Sequence, residues 1–161
     1  MKVYDFAIKM ELDGKAYYEK LASDTTDSGL KSIFSNLALD EQKHYEVIMA
    51  IKSGKQLEMA DSKVLDEAKN LFELLTADKD DSVVLKKSLD GYEHARKIEA
   101  DSVKFYEDMA KEEDNPETVQ LLLRIAKEEK KHFNILDNLC DFVAAPQSYL
   151  AWGEFSNLKE F

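Results

Sequence analysis

The sequence predicts an all-α fold, a four-helix bundle made of two antiparallel hairpins joined by one long crossover. Three observations predict it. Gly and Pro are sparse, five and two in 161 residues, which disfavours a turn-rich β architecture and suits long helices. Apolar residues recur at alternating steps of four and three, the spacing of helices that bury one stripe. The second half of the chain also repeats the first, with no gap, at an offset of 88 residues.

Segment A spans about 3–24, with Val3, Ala7, Met10, Gly14, Tyr17 and Leu21 as its expected seam and Glu11 and Tyr18 beside it. Thr25 to Gly29 reads as a turn containing an N-cap. Segment B spans about 30–53, with Phe34, Leu37, Ala38, Glu41, His44, Ile48 and Ile51 facing inward and Gly54 as its stop. A more polar stretch follows to about residue 81, with a short helix expected over Val64–Phe72. Segment C is expected over about 82–112. Asn115-Pro116 then reads as an N-cap followed by Pro at the first helical position of segment D, which ends before Pro146. The A–B and C–D connections are short, so each pair is antiparallel. The long B–C link runs the length of a bundle and lets B and C lie parallel.

The chain is long enough for one domain with a proper core, expected over 1–145. Residues 146–161 form a tail carrying Tyr149, Leu150, Trp152, Phe155 and Phe161. Its apolar character predicts packing on the bundle or on a partner subunit, at the scale of a homodimer. A net charge of −11 argues against a nucleic-acid or anionic-membrane partner. No apolar run approaches the ~20 residues of a membrane span. The first residues enter an amphipathic pattern with no signal-type apolar block, so a cytoplasmic protein is expected. The single cysteine, Cys140, excludes an intrachain disulfide and a four-cysteine metal ribbon, and reads as a small buried hydrophobe.

The repeat brings out the chemistry. Glu41-x-x-His44 falls on Glu129-x-x-His132, and Glu11 falls on Glu99. Residues three apart share a helix face, so each motif aims a carboxylate and an imidazole the same way, and a pseudo-twofold axis would bring the copies face to face. One Glu-x-x-His in a glutamate-rich chain is a weak signal. Two of the three histidines carrying it at one offset, with matched glutamates upstream, make a specific one. Burying four carboxylates without compensation would cost tens of kcal/mol on an idealised estimate, and two divalent cations supply the four positive charges required. The expected metal ligands are Glu11, Glu41, His44, Glu99, Glu129 and His132, with Glu41 and Glu129 bridging. Carboxylate with imidazole suits iron or manganese. Asp40 and Glu128 are expected behind the histidines, Asp40 on His132 and Glu128 on His44. His94, whose repeat mate is Phe6, is expected on the surface.

Three residues past Glu11 and Glu99 stand Gly14 and Ser102. Small residues there leave room for an exogenous ligand or permit close helix packing. Tyr18 and Tyr106 either serve the site, as hydrogen-bond donors or electron relays, or are core aromatics with satisfied hydroxyls.

Glu11, Glu41-x-x-His44, Glu99 and Glu129-x-x-His132 resemble the ferritin-like di-iron carboxylate superfamily. Within it the chain is most similar to the rubrerythrin branch, through the tyrosines seven residues past Glu11 and Glu99 and the ending Glu154 to Phe161. The resemblance implies a ferritin-like bundle holding two iron ions, with manganese or a mixed pair as the variant. It also implies reduction of hydrogen peroxide to water with electrons from an external donor such as rubredoxin. A ferroxidase acting with oxygen, or a di-manganese catalase-like enzyme, are the alternatives. Two departures qualify it. The chain lacks the four cysteines of a rubredoxin module, and Ser102 stands where rubrerythrins carry a further glutamate.

Overall fold

The computed structural model describes residues 2–55, 59, 61–75 (71–75 as backbone only) and 88–144. Among them lie five helices and no strand: α1 (Lys2–Asp24), α2 (Ser28–Lys52), α3 (Val64–Leu75), α4 (Leu89–Glu112) and α5 (Pro116–Ala144). The expected tail, and the first residues expected in segment C, fall outside the described residues. No described helix is long and apolar enough to cross a membrane.

Local chemistry sets the helix ends. The Asp27 carboxylate accepts the Leu30 N–H at 2.8 Å and caps α2, satisfying one of the donors that a helix start leaves open. After α2 the chain turns through Gly54 at φ +73°, a left-handed conformation that favours glycine. Asn115 Oδ1 accepts from the N–H groups of Glu117 and Thr118 at 3.0 and 3.2 Å. Pro116, with no N–H to satisfy, opens α5.

Cross-helix contacts fix the topology. Between α1 and α2, Asp5 meets Lys52 and Lys15 meets Gln42. Between α1 and α4, Tyr4 donates to Glu113, Tyr106 to Glu11, Tyr18 to Glu99, and Tyr17 to the Gly91 carbonyl. From Tyr4 through Glu11 to Tyr18 the partner's number falls from 113 through 106 to 99, and from Asp5 to Lys15 it falls from 52 to 42, so α1 is antiparallel to both α2 and α4. It follows that α2 and α4 are parallel, the arrangement that a full-length crossover permits. Within that crossover, α3 packs on α2 and α5.

The core is two apolar halves separated by a polar layer. One half gathers around Phe34, Leu37, Ile135 and Leu139, the other around Ile48, Leu122, Ile125 and Met109. The expected inner face of α2 holds, with Ile51 at its half-exposed end. That of α1 does not. Its buried line is Ala7, Glu11, Tyr18 and Ala22, while Val3 is 42 % exposed and Met10, Gly14, Tyr17 and Leu21 are half-buried. Glu11 and Tyr18 share the innermost line with two alanines because their partners lie on other helices, while Met10, Tyr17 and Leu21 lie against Ser102 and Gly91 of α4. Cys140 is buried, and burial pushes its thiol up to about 11.

Candidate metal centre

The polar layer holds Glu11 from α1, Glu41 and His44 from α2, Glu99 from α4, and Glu129 and His132 from α5. Each is no more than 3 % exposed. Residues three apart on α2 and on α5 put each imidazole one turn beyond its carboxylate. The two rings then face each other, their centroids 5.9 Å apart and their planes 20° from parallel.

Donor atoms within 4.8 Å of one another form two groups, Glu11–Glu41–His44–Glu129 and Glu41–Glu99–Glu129–His132. Glu41 and Glu129 belong to both. Each imidazole turns the same edge inward. His44 Nδ1 lies 2.6 Å from Glu129 and 3.5 Å from Glu11, and His132 Nδ1 lies 3.0 Å from Glu41 and 3.3 Å from Glu99. The outer edges meet the carboxylates that precede the bridging glutamates. His44 Nε2 is 2.9 Å from Glu128, and His132 Nε2 is 2.9 Å from Asp40. An outer carboxylate of this kind holds the Nε2–H and turns Nδ1 inward, where its lone pair would face a bound cation once the inner proton is displaced.

The site's own hydrogen bonds do not satisfy it. Glu11 Oε2, His44 Nδ1, Glu99 Oε2 and Glu129 Oε1 are buried with no hydrogen-bond partner. The 2.6 Å approach of His44 Nδ1 to Glu129 Oε1 lacks hydrogen-bond alignment. Orphaned donor atoms crowded about shared points are the condition that a cation between them relieves, so the residues present fit a pair of metal ions.

The proton pattern agrees. Burial raises the Glu41 and Glu129 carboxyls well above the usual carboxylate range, and the neighbouring carboxylates raise them further. Burial depresses both imidazoles, but the negative charges around them outweigh it and hold His44 and His132 well above the ordinary histidine value. Burial also pushes Glu11 and Glu99 up, yet hydrogen bonds and imidazolium charge hold both below their usual value. The crowded carboxylates thus favour bound protons in the metal-free cluster, the role that divalent cations would take over.

Tyr18 and Tyr106 are fully buried, and each reaches across the α1–α4 interface to the other helix's glutamate. Tyr106 donates to Glu11 at 2.5 Å, and Tyr18 donates to Glu99. Burial, then the nearby carboxylate charges, raises both phenols well above their ordinary value, so they remain donors. A Cβ at Gly14 would stand an ordinary 3.4 Å from Glu41 Oε2, so the packing there does not require glycine. Ser102 is buried with its hydroxyl turned to the Met10 sulfur at 3.6 Å. His94 is exposed, its ring centroid 5.5 Å from that of Tyr17. One contact had no signal in the sequence. Ser62, in the crossover, donates to Asp40 at 2.5 Å.

No curated protein and no solved structure gave a significant match to the chain. The family model for rubrerythrin matches residues 2–140. That span takes in both hairpins and every residue of the polar layer, and the chain belongs to the rubrerythrin family.

Proposed function

We propose that this protein is a non-haem di-iron peroxidase, reducing hydrogen peroxide to water with electrons from an external donor such as rubredoxin. The observation that carries the reading is the pair of overlapping buried donor groups sharing Glu41 and Glu129. Glu11 and His44 would hold one ion, Glu99 and His132 the other, and Glu41 and Glu129 both. Iron bound there supplies redox chemistry and Lewis acidity. The chain's own residues supply the rest. Asp40 and Glu128 hold the imidazoles in one tautomer, and Tyr18 and Tyr106 brace the terminal carboxylates. The apolar layers above and below keep bulk water out. Cleaving the O–O bond of peroxide consumes two electrons and two protons. The 161 residues carry one cysteine, and in this reading the electrons come from a donor outside them. A homodimer in the cytoplasm, using iron rather than manganese, completes the reading.

Ser102 supports a second reading. Its hydroxyl is engaged with Met10, and no seventh carboxylate comes from that position, which leaves a symmetric six-residue set suited to a ferroxidase. Rapid mixing of the anaerobic ferrous protein with peroxide or oxygen, together with light scattering, separates the two. Two irons per subunit, oxidised much faster by peroxide than by oxygen in a small assembly, is the expected result. Hundreds of irons in a large shell would sink the peroxidase. Glu41→Ala combined with Glu129→Ala should abolish two-metal binding, and unchanged stoichiometry would refute the ligand assignment.

A further inference from the structure

Asp40 stands between the buried cluster and the crossover. Its Oδ2 accepts from His132 Nε2 at 2.9 Å and from Ser62 Oγ at 2.5 Å, and its Oδ1 lies 4.0 Å from Lys43 Nζ. Ser62 Oγ also accepts the Val64 N–H at 3.3 Å, at the first residue of α3. One hydroxyl thus joins the start of the crossover helix to the carboxylate behind His132. Among the described residues the other half of the site has no equivalent. Glu128 accepts from His44 Nε2 at 2.9 Å, and among the described residues no hydroxyl contacts it. The difference follows from the topology, because Ser62 lies in the crossover and outside the repeated hairpins.

We propose that Ser62 is a positioning residue that makes the two metal positions inequivalent. By pinning Asp40, which has only 6 % of its surface exposed, it fixes the azimuth of His132 and so tightens the position that His132 and Glu99 hold. The His44 and Glu11 position is left alone. Replacing an outer partner of a metal-bound histidine typically weakens binding about 10–100-fold. Ser62 acts one bond further out, so the low end, about tenfold, is the expected loss. The proposal rests on the di-metal reading above.

Cobalt(II) titration of the metal-free protein, followed by visible absorption, tests it. The wild-type chain should take two ions. In Ser62→Ala one binding constant should fall about tenfold while the other is unchanged, and Ser62→Thr, which keeps the hydroxyl, should restore it. Ser62→Gly also removes the hydroxyl, so it should show the same one-sided loss if Ser62→Ala folds poorly. In the zinc-loaded protein, the His132 Nε2–H resonance should shift while that of His44 stays. A hydroxyl that merely caps α3 would lower thermal stability and leave both constants unchanged or lower both equally, and either result overturns the proposal. A wild-type chain that binds fewer than two ions would instead refute the di-metal reading.

Discussion

Replacing Tyr106 by Phe removes one oxygen and leaves the ring in place. That oxygen donates to Glu11 Oε1 at 2.5 Å, and neither side chain is more than 1 % exposed. Glu11 Oε2 has no partner, so in the metal-free protein the variant leaves the whole carboxylate more poorly satisfied. A hydrogen bond to a charged group contributes about 1.5–3 kcal/mol. For a domain of this size that converts to a fall in Tm of about 3–12 °C. Glu11 is held below its ordinary value, so its bonded, ionised form stabilises the fold above the unfolded-state pKa. That contribution is lost as pH falls through the folded-state value. The penalty of Tyr106→Phe should therefore be full at neutral pH and shrink in acid below the ordinary glutamate range. Thermal and urea unfolding of the metal-free protein over this pH range would measure it, and the mirror variant Tyr18→Phe should lose a comparable amount. A loss within the ~0.5 kcal/mol typical of neutral surface changes, or one insensitive to pH, would refute the bracing role.

Three further outcomes are expected. Gly14→Ala should stabilise the metal-free fold by about 0.5–1 kcal/mol, or about 1–4 °C in Tm, because the added methyl meets Glu41 at an ordinary 3.4 Å; a lower urea midpoint would contradict this. The metal-free protein should lose stability as pH rises. His44 and His132 hold their protons above the ordinary 6.5, and Glu41 and Glu129 above the ordinary 4.5, so their contributions are complete below those values and disappear on titrating upward. Metal displaces the same protons, so binding should strengthen over that range, which urea midpoints with and without cobalt would check. The Cys140 thiol, buried and raised to about 11, should react with a disulfide reagent at pH 8 at least about a hundredfold more slowly in the native than in the unfolded chain.

The helices and their order were legible because each depends on local chemistry: the Asp27 and Asn115 caps, Pro116, Gly54 and the apolar stripes. The convergence of Glu11, Glu99 and the two Glu-x-x-His motifs was legible for a different reason, since an internal repeat carries long-range information that a single helix pattern lacks. Two features were not legible. The inner line of α1 is offset from the expected seam through Val3 and Met10, because Glu11 and Tyr18, expected beside that seam, are drawn onto the axis by partners on other helices. Ser62 gave no signal because its partner lies 22 residues away on another element, and a serine in a polar stretch looks like any loop residue.

The cross-hairpin bonds also bear on how the chain folds. Tyr18 and Tyr106 each find their acceptor on the opposite hairpin, and so do the outer nitrogens of His44 and His132. A half-formed molecule with the first hairpin assembled would keep the 3.5 Å approach of His44 to Glu11 but lack Tyr106, Glu128, Glu129 and His132, the partners that complete the burial of Glu11, Glu41 and His44. Neither duplicated half can therefore persist as an independent folding unit. Although its sequence is a tandem repeat, the chain should unfold in a single concerted transition, with hairpin docking and charge neutralisation as one event.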